Sequence, residues 1–133
     1  MSQTTRQLAI MFTDLVGYSS MMNADERAAV GQLEDYRALV CPIVESHDGK
    51  VIEFAGDSIF ARFNTATGAA DAGIEIQRAL QQYTYQHNRK RRTRIGVHYG
   101  KVLEKDGQLY GDDFNIAASL EPLGDPSGVC MSE

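Results

Sequence analysis

The order in which hydrophobic patterns follow one another restricts the fold of this chain more than any other feature. Some segments are short apolar or β-branched runs typical of strands, and others repeat apolar side chains at helical spacing. In chain order they are a strand over residues 8–12, a helix from 23–26 to about 47 with its apolar positions over 29–44, and strands over 51–54 and 59–63. A second helix, capped at 64 or 65 with its apolar positions over 69–83, and a strand over 94–99 follow. The order β-α-β-β-α-β predicts an α+β fold with a ferredoxin-like, split βαβ core, in which two helices pack on one face of an antiparallel sheet.

Turn signals divide these elements and extend them. Gly56-Asp57 separates two of the strands and predicts a hairpin with Asp57 in its turn, while Gly49 is expected to end the first helix in the left-handed conformation. Beyond residue 100, the patterns predict a hairpin over 102–110, a short helix over 112–120 and the start of a strand at 128–131. With 133 residues, one domain is expected.

Composition excludes several classes of protein. Hydrophobic residues make up 43% and charged residues 23%, which is typical of a globular chain. No stretch is apolar for the roughly 18 residues of a membrane span, and the N-terminus lacks a signal-peptide core, so a cytoplasmic location is expected. A net charge of −5 argues against nucleic acid as a partner, although five of the 13 basic residues cluster over 89–94.

Two aspartates interrupt strongly apolar segments at points that this fold can bring together. Asp14 follows the first strand, and Asp57 lies in the hairpin turn. Adjacent carboxylates repel each other unless a cation lies between them, and carboxylate oxygens suit Mg²⁺ or Mn²⁺. After Asp14, the backbone N–H groups of Val16, Gly17 and Tyr18 lead toward a helix, an arrangement that receives phosphate. A nucleoside triphosphate is the ligand that fits both features, and plain turns are the alternative interpretation.

Four motifs extend this interpretation. They are residues 12–19 (FTDLVGYS), 56–58 (GDS), 94–100 (RIGVHYG) and 110–121 (YGDDFNIAASLE). In this order and spacing they resemble the catalytic domain of class III adenylate and guanylate cyclases, in particular its bacterial members. The resemblance covers the chain from Leu8 to its end. Such domains usually continue for several tens of residues, so a chain of this length is expected to lack their last elements.

The resemblance implies a reaction and an assembly. It implies conversion of ATP or GTP to a 3′,5′-cyclic nucleotide and pyrophosphate, with two ions of Mg²⁺ or Mn²⁺ per site and a head-to-tail homodimer whose sites lie at the interface. By position, Asp14 and Asp57 match the metal-binding aspartates and the Leu15 carbonyl matches a backbone ligand. Residues 16–18 match the phosphate loop, and Asn115 of the other subunit matches the asparagine that orients the ribose.

Three positions differ from the family pattern. Ser119 stands where the family has its transition-state arginine, and neither Arg92 nor Arg94 is placed by the sequence as a substitute. Glu53 and Gln108 occupy the two base-recognition positions. An ionised Glu53 only accepts hydrogen bonds, which favours guanine, whereas most bacterial members use ATP, so the purine stays open. The alternative function is a degenerate cyclase domain that binds nucleotide or dimerises as a regulatory module.

Overall fold

A computed structural model of the chain describes residues 3–87, 92–105, 108–110 and 129–132. Its elements are β1 (Gln3–Leu15), α1 (Tyr18–Ala24), α2 (Glu26–Ser46), β2 (Lys50–Ala55), β3 (Ser58–Phe63), α3 (Ala66–His87), β4 (Thr93–Lys105), β5 (Gln108–Tyr110) and β6 (Val129–Ser132). The strands form one sheet in the order β2-β3-β1-β4-β5, and β6 pairs in parallel with β4. All other pairs are antiparallel, and the predicted α+β fold is confirmed.

The strand β1 lies at the centre of the sheet and is buried on both faces. Ala9 and Met11 pack with α2 and α3 in the larger core cluster, while Ile10 and Phe12 lie in a second cluster on the opposite face. Successive residues of a strand point to opposite faces, so one continuous apolar run supplies both clusters. His98, the cross-strand partner of Ile10 on β4, is also buried.

Several boundaries differ from the sequence-based prediction. The strands β1 and β4 pair over thirteen residues each, so β4 continues through Gly100, where the sequence predicted separate strands over 94–99 and from 102. A short helix, α1, precedes α2 and was not predicted. Asp25 is the N-cap residue of α2, and its side chain accepts a hydrogen bond from the N–H of Ala28 at 3.2 Å.

The end of α2 corrects the expectation for Gly49. The left-handed residue is Asp48, with φ 61°, and Gly49 instead lies against the ring of Phe63. A Cβ atom added to Gly49 would lie 2.4 Å from that ring, so close packing rather than backbone conformation requires the glycine. Within the described residues, no helix is long and apolar enough to cross a membrane.

Candidate metal and nucleotide site

The fold places Asp14 and Asp57 at the same end of the sheet, where β1 finishes and β2 turns into β3. Asp14 is the last residue but one of β1, and Asp57 lies in the two-residue turn between β2 and β3. Because Thr13 pairs with Ile59, the end of β1 runs beside this turn. The Leu15 N–H donates to Oδ2 of Asp57 at 3.1 Å, which joins the two segments directly.

The electrostatics of this pair suit a cation. Partial burial and the neighbouring charge of Asp14 raise the pKa of Asp57, against the opposing effect of hydrogen bonds from its own N–H and that of Leu15. Oδ1 of Asp14 is buried and has no hydrogen-bond partner among the described residues. A buried carboxylate oxygen without a donor is costly unless a cation compensates it, so the residues present fit a metal ion.

The donor set also restricts which ion fits. In the described part of the chain, no three His, Cys, Asp or Glu side chains cluster as metal ligands. Two carboxylates and nearby backbone oxygens are hard ligands, and they leave most of a coordination sphere to water or phosphate. This is the arrangement in which Mg²⁺ is commonly held, together with the phosphates of its substrate.

A buried group of hydroxyls holds the main chain of Asp14. Thr93 Oγ1, on β4, donates to the Asp14 carbonyl at 2.7 Å. The Tyr36 hydroxyl, from α2, donates to Thr13 Oγ1 at 2.8 Å and lies 2.5 Å from Thr93 Oγ1. Burial raises the pKa of Tyr36 well above its usual range, so it stays neutral. These contacts could not be predicted from the sequence, because they join residues up to 79 positions apart along the chain.

The predicted phosphate loop follows Leu15 directly. Gly17 is exposed and left-handed, with φ 82°, and it precedes the first residue of α1, Tyr18. The Val16 N–H donates to the carbonyl of Arg92 at 2.9 Å, which ties the loop to the residue before β4. An added Cβ at Gly17 would meet nothing within 4 Å, so its backbone angle alone favours glycine.

Register places one basic residue beside this loop. Arg94 on β4 is the cross-strand partner of Asp14, and directly opposed residues of an antiparallel pair lie on the same face about 5 Å apart. The side chain of Arg94 is partly exposed. The basic cluster over residues 89–94 was visible in the sequence, but its position in the fold was not. The thirteen-residue pairing of β1 with β4 puts Arg94 beside Asp14.

The remaining predicted site residues are not brought together by the described structure. Glu53 is exposed on the outer strand β2, where it pairs with Phe60 directly after a bulge. Gln108 is the first residue of β5, at the opposite end of the strand order. Three strands separate β2 from β5. Asn115 and Ser119 lie outside the described residues.

Comparison with known proteins identifies relatives of this arrangement. The model of the adenylate and guanylate cyclase catalytic domain family matches residues 1–133. A protein of Rhizobium meliloti (strain 1021) named "Putative adenylate cyclase 3" is 33% identical over 131 residues, which are 96% of this chain and 22% of the relative. An adenylate cyclase of Anabaena cylindrica is 28% identical over 90% of this chain and 28% of its own length. The chain thus spans between about a fifth and just over a quarter of these relatives' lengths.

Solved structures show the same architecture. The adenylate/guanylate cyclase/hydrolase from Silicibacter pomeroyi superposes with a TM-score of 0.89 at 32% identity, covering 99% of this chain and 78% of that one. The guanylyl cyclase Cya2 superposes with a TM-score of 0.83 at 23% identity, covering 99% and 77%. At that identity the second match shows the fold alone.

Proposed function

The chain belongs to the adenylate and guanylate cyclase catalytic domain family, and from this premise we propose that it converts ATP or GTP to a 3′,5′-cyclic nucleotide and pyrophosphate. One observation carries the proposal. The carboxylates of Asp14 and Asp57 converge at one end of the sheet, beside a phosphate loop, and one buried Asp14 oxygen has no partner among the described residues.

Asp14, Asp57 and the Leu15 carbonyl are the proposed metal ligands, holding two ions of Mg²⁺ or Mn²⁺. When bound, such ions favour ionisation of the ribose 3′-hydroxyl and neutralise the charge of the triphosphate and departing pyrophosphate. The protein holds these ligands in place. The Leu15 N–H orients the Asp57 carboxylate, and the Thr93 hydroxyl fixes the Asp14 carbonyl, so the ligands are ordered before substrate arrives.

We assign the phosphates to the loop of Val16, Gly17 and Tyr18. The N–H groups of Gly17 and Tyr18 are the proposed donors, because that of Val16 already donates to the Arg92 carbonyl. Arg94 extends from the strand beside Asp14, and we propose that its guanidinium pairs with phosphoryl oxygens. Such a cation in the same subunit would partly offset the loss of charge at Ser119, where the family has an arginine.

A complete site is proposed to need two copies of the chain. Asn115 of the second copy would orient the ribose, as the family resemblance implies, in a head-to-tail homodimer. The exposed Glu53 and the half-exposed Phe54, on the edge strand β2, leave this part of the hairpin accessible to a partner.

The choice of purine is proposed to depend on Glu53 and Gln108. An ionised Glu53 accepts from guanine N1–H and N2–H₂, and Gln108 can donate to O6 of guanine or accept from the amino group of adenine. These hydrogen bonds favour GTP. Turnover of ATP and GTP, each measured separately with Mn²⁺, tests this assignment, and equal or ATP-preferring turnover removes it.

Cyclic-nucleotide production by three forms of the protein tests the activity. We expect the wild type to be active and Asp57→Asn to lose at least about a hundredfold in rate, because the amide keeps an acceptor for Leu15 but loses the charge. The matched control is Asp71→Asn, an exposed change of the same kind on α3, which should leave the rate unchanged.

The same assay, with a Ser119→Arg variant added, decides between this activity and the degenerate alternative. That function is favoured only by Ser119, Glu53 and Gln108 at family site positions. If wild type and Asp57→Asn are equally inactive while Ser119→Arg creates activity, the domain is a regulatory module that has lost its catalytic cation.

A further inference from the structure

Arg37 connects α2 to the hairpin that carries Asp57. Its Nη2 donates to the carbonyl oxygen of Gly56 at 2.8 Å, and its guanidinium carbon lies 4.4 Å from the centre of the Phe54 ring. One side chain thus stacks on the end of β2 and holds the turn that follows it. The two contacts use different properties of the guanidinium, its face for the ring and its edge for the carbonyl.

The bond to Gly56 acts on the peptide group that leads into Asp57. A peptide group is planar, so a donor fixed on the Gly56 carbonyl also fixes the direction of the Asp57 N–H. The same residue carries the carboxylate whose Oδ2 accepts from the Leu15 N–H. The bonds from Arg37 to Gly56 and from Leu15 to Asp57 therefore link α2, through the turn, to the end of β1.

The turn needs such support. Gly56 is exposed and has φ 59°, a conformation that glycine adopts without strain but that glycine also leaves easily. The Nε of Arg37 is buried without a hydrogen-bond partner among the described residues. A side chain that keeps one donor unsatisfied is poorly optimised for stability alone, which favours a role in placing the turn.

We infer that Arg37 is a positioning residue, which sets the orientation of the Asp57 carboxylate for metal binding by holding the Gly56–Asp57 peptide. This inference rests on the proposed function, because it takes Asp57 as a metal ligand. Loss of a residue that orients a metal ligand typically weakens metal binding by roughly ten- to a hundredfold. Arg37→Met is expected to weaken Mn²⁺ binding within that range while the protein remains folded.

The test is a Mn²⁺ titration of the 133-residue chain followed by electron paramagnetic resonance, which reports binding without turnover. Arg27→Met is the matched control, because it removes an exposed arginine from the first turn of the same helix. It should bind Mn²⁺ as the wild type does. Arg37→Lys keeps the charge, but an ammonium group cannot both stack on the Phe54 ring and donate to the Gly56 carbonyl. We therefore expect it to bind Mn²⁺ more weakly than the wild type.

Each outcome separates this inference from the proposed function. If Asp57→Asn loses Mn²⁺ binding and Arg37→Met does not, the metal site stands and the role of Arg37 is wrong. If Arg37→Met does not fold, Arg37→Lys decides, and affinity equal to the wild type overturns the inference. If wild type and Asp57→Asn bind Mn²⁺ equally weakly, the proposed metal site itself is wrong.

Discussion

The Leu15 N–H donates to the Asp57 carboxylate across 3.1 Å, joining the end of β1 to the β2–β3 turn between residues 42 positions apart. This bond occupies Oδ2 of Asp57 and orients the carboxylate toward the end of β1, where Asp14 lies. It also makes the two segments depend on each other, because a shift of the β2–β3 turn would withdraw the acceptor from Leu15. The candidate site therefore depends on how the end of β1 and the β2–β3 turn lie against each other, and neither segment forms it alone.

The raised pKa of Asp57 predicts a pH dependence of stability in the metal-free protein. Because the folded state holds this proton more tightly than the unfolded chain, the contribution of Asp57 to stability is fully present below its ordinary pKa of 3.8 and is lost as pH rises through the raised pKa. The Asp57→Asn variant should not lose stability in this way. Without metal at neutral pH, it should melt at a higher temperature than the wild type. Thermal melts across this pH range, with Asp71→Asn as control, measure the effect. Identical pH profiles for wild type and Asp57→Asn would contradict it.

Metal binding should show the opposite trend with pH. Protons compete with a cation for the Asp57 carboxylate, so the affinity for Mn²⁺ should decrease as pH falls through the raised pKa. Paramagnetic resonance titrations at several pH values measure this directly. An affinity that stays constant across the interval would mean that Asp57 is not a ligand.

Tyr36→Phe should destabilise the protein and reduce its activity. The substitution removes a hydroxyl that contacts both Thr13 and Thr93 in a buried position, leaving polar groups without a partner. We expect a loss of about 1 to 3 kcal/mol in the free energy of unfolding, measured by urea denaturation. Tyr83→Phe is the control, since its hydroxyl makes a long, exposed contact of 3.5 Å with Asp35. Equal losses in both variants would show that the buried network adds nothing.

Arg94→Met should raise the KM for the triphosphate roughly tenfold or more, because a charge-assisted hydrogen bond to phosphate is lost. Lys101→Met is the matched control. It lies seven residues along the same strand, about 23 Å from Arg94, where β4 pairs with Gln7. Steady-state kinetics at saturating Mn²⁺ separate KM from kcat. An unchanged KM in Arg94→Met would remove this residue from the phosphate site.

Gly49→Ala should cost about 1 to 3 kcal/mol of stability, because the new methyl group would overlap the buried ring of Phe63. Gly31→Ala, inside α2 with nothing within 4 Å of the added carbon, should instead gain up to about 1 kcal/mol. Thermal or chemical denaturation distinguishes the two signs. A neutral Gly49→Ala would mean that the Phe63 ring moves aside at little cost.

The pattern of hydrophobic residues alone was sufficient to predict the β-α-β-β-α-β order of the core elements and the fold class, although it did not predict the short helix α1. Period-two and helical spacing follow from which side chains face a core, and both can be recognised locally in sequence. The predicted hairpin at Gly56-Asp57 is present, with Ala55 paired to Ser58. The lengths of β1 and β4 could not be predicted, because each strand is extended by its pairing with the other rather than by its own composition.

The sequence determined which residues could carry the chemistry, since the acids at 14 and 57 interrupt strongly apolar segments and the glycine at 17 follows the first of them on the way into a helix. Only the tertiary structure decided how they meet. Four contacts join residues that are distant along the chain. They are the bonds from Leu15 to Asp57, from the Thr93 hydroxyl to the Asp14 carbonyl and from Arg37 to Gly56, and the pairing of Arg94 with Asp14. Such contacts depend on strand register and helix packing, which no local pattern records.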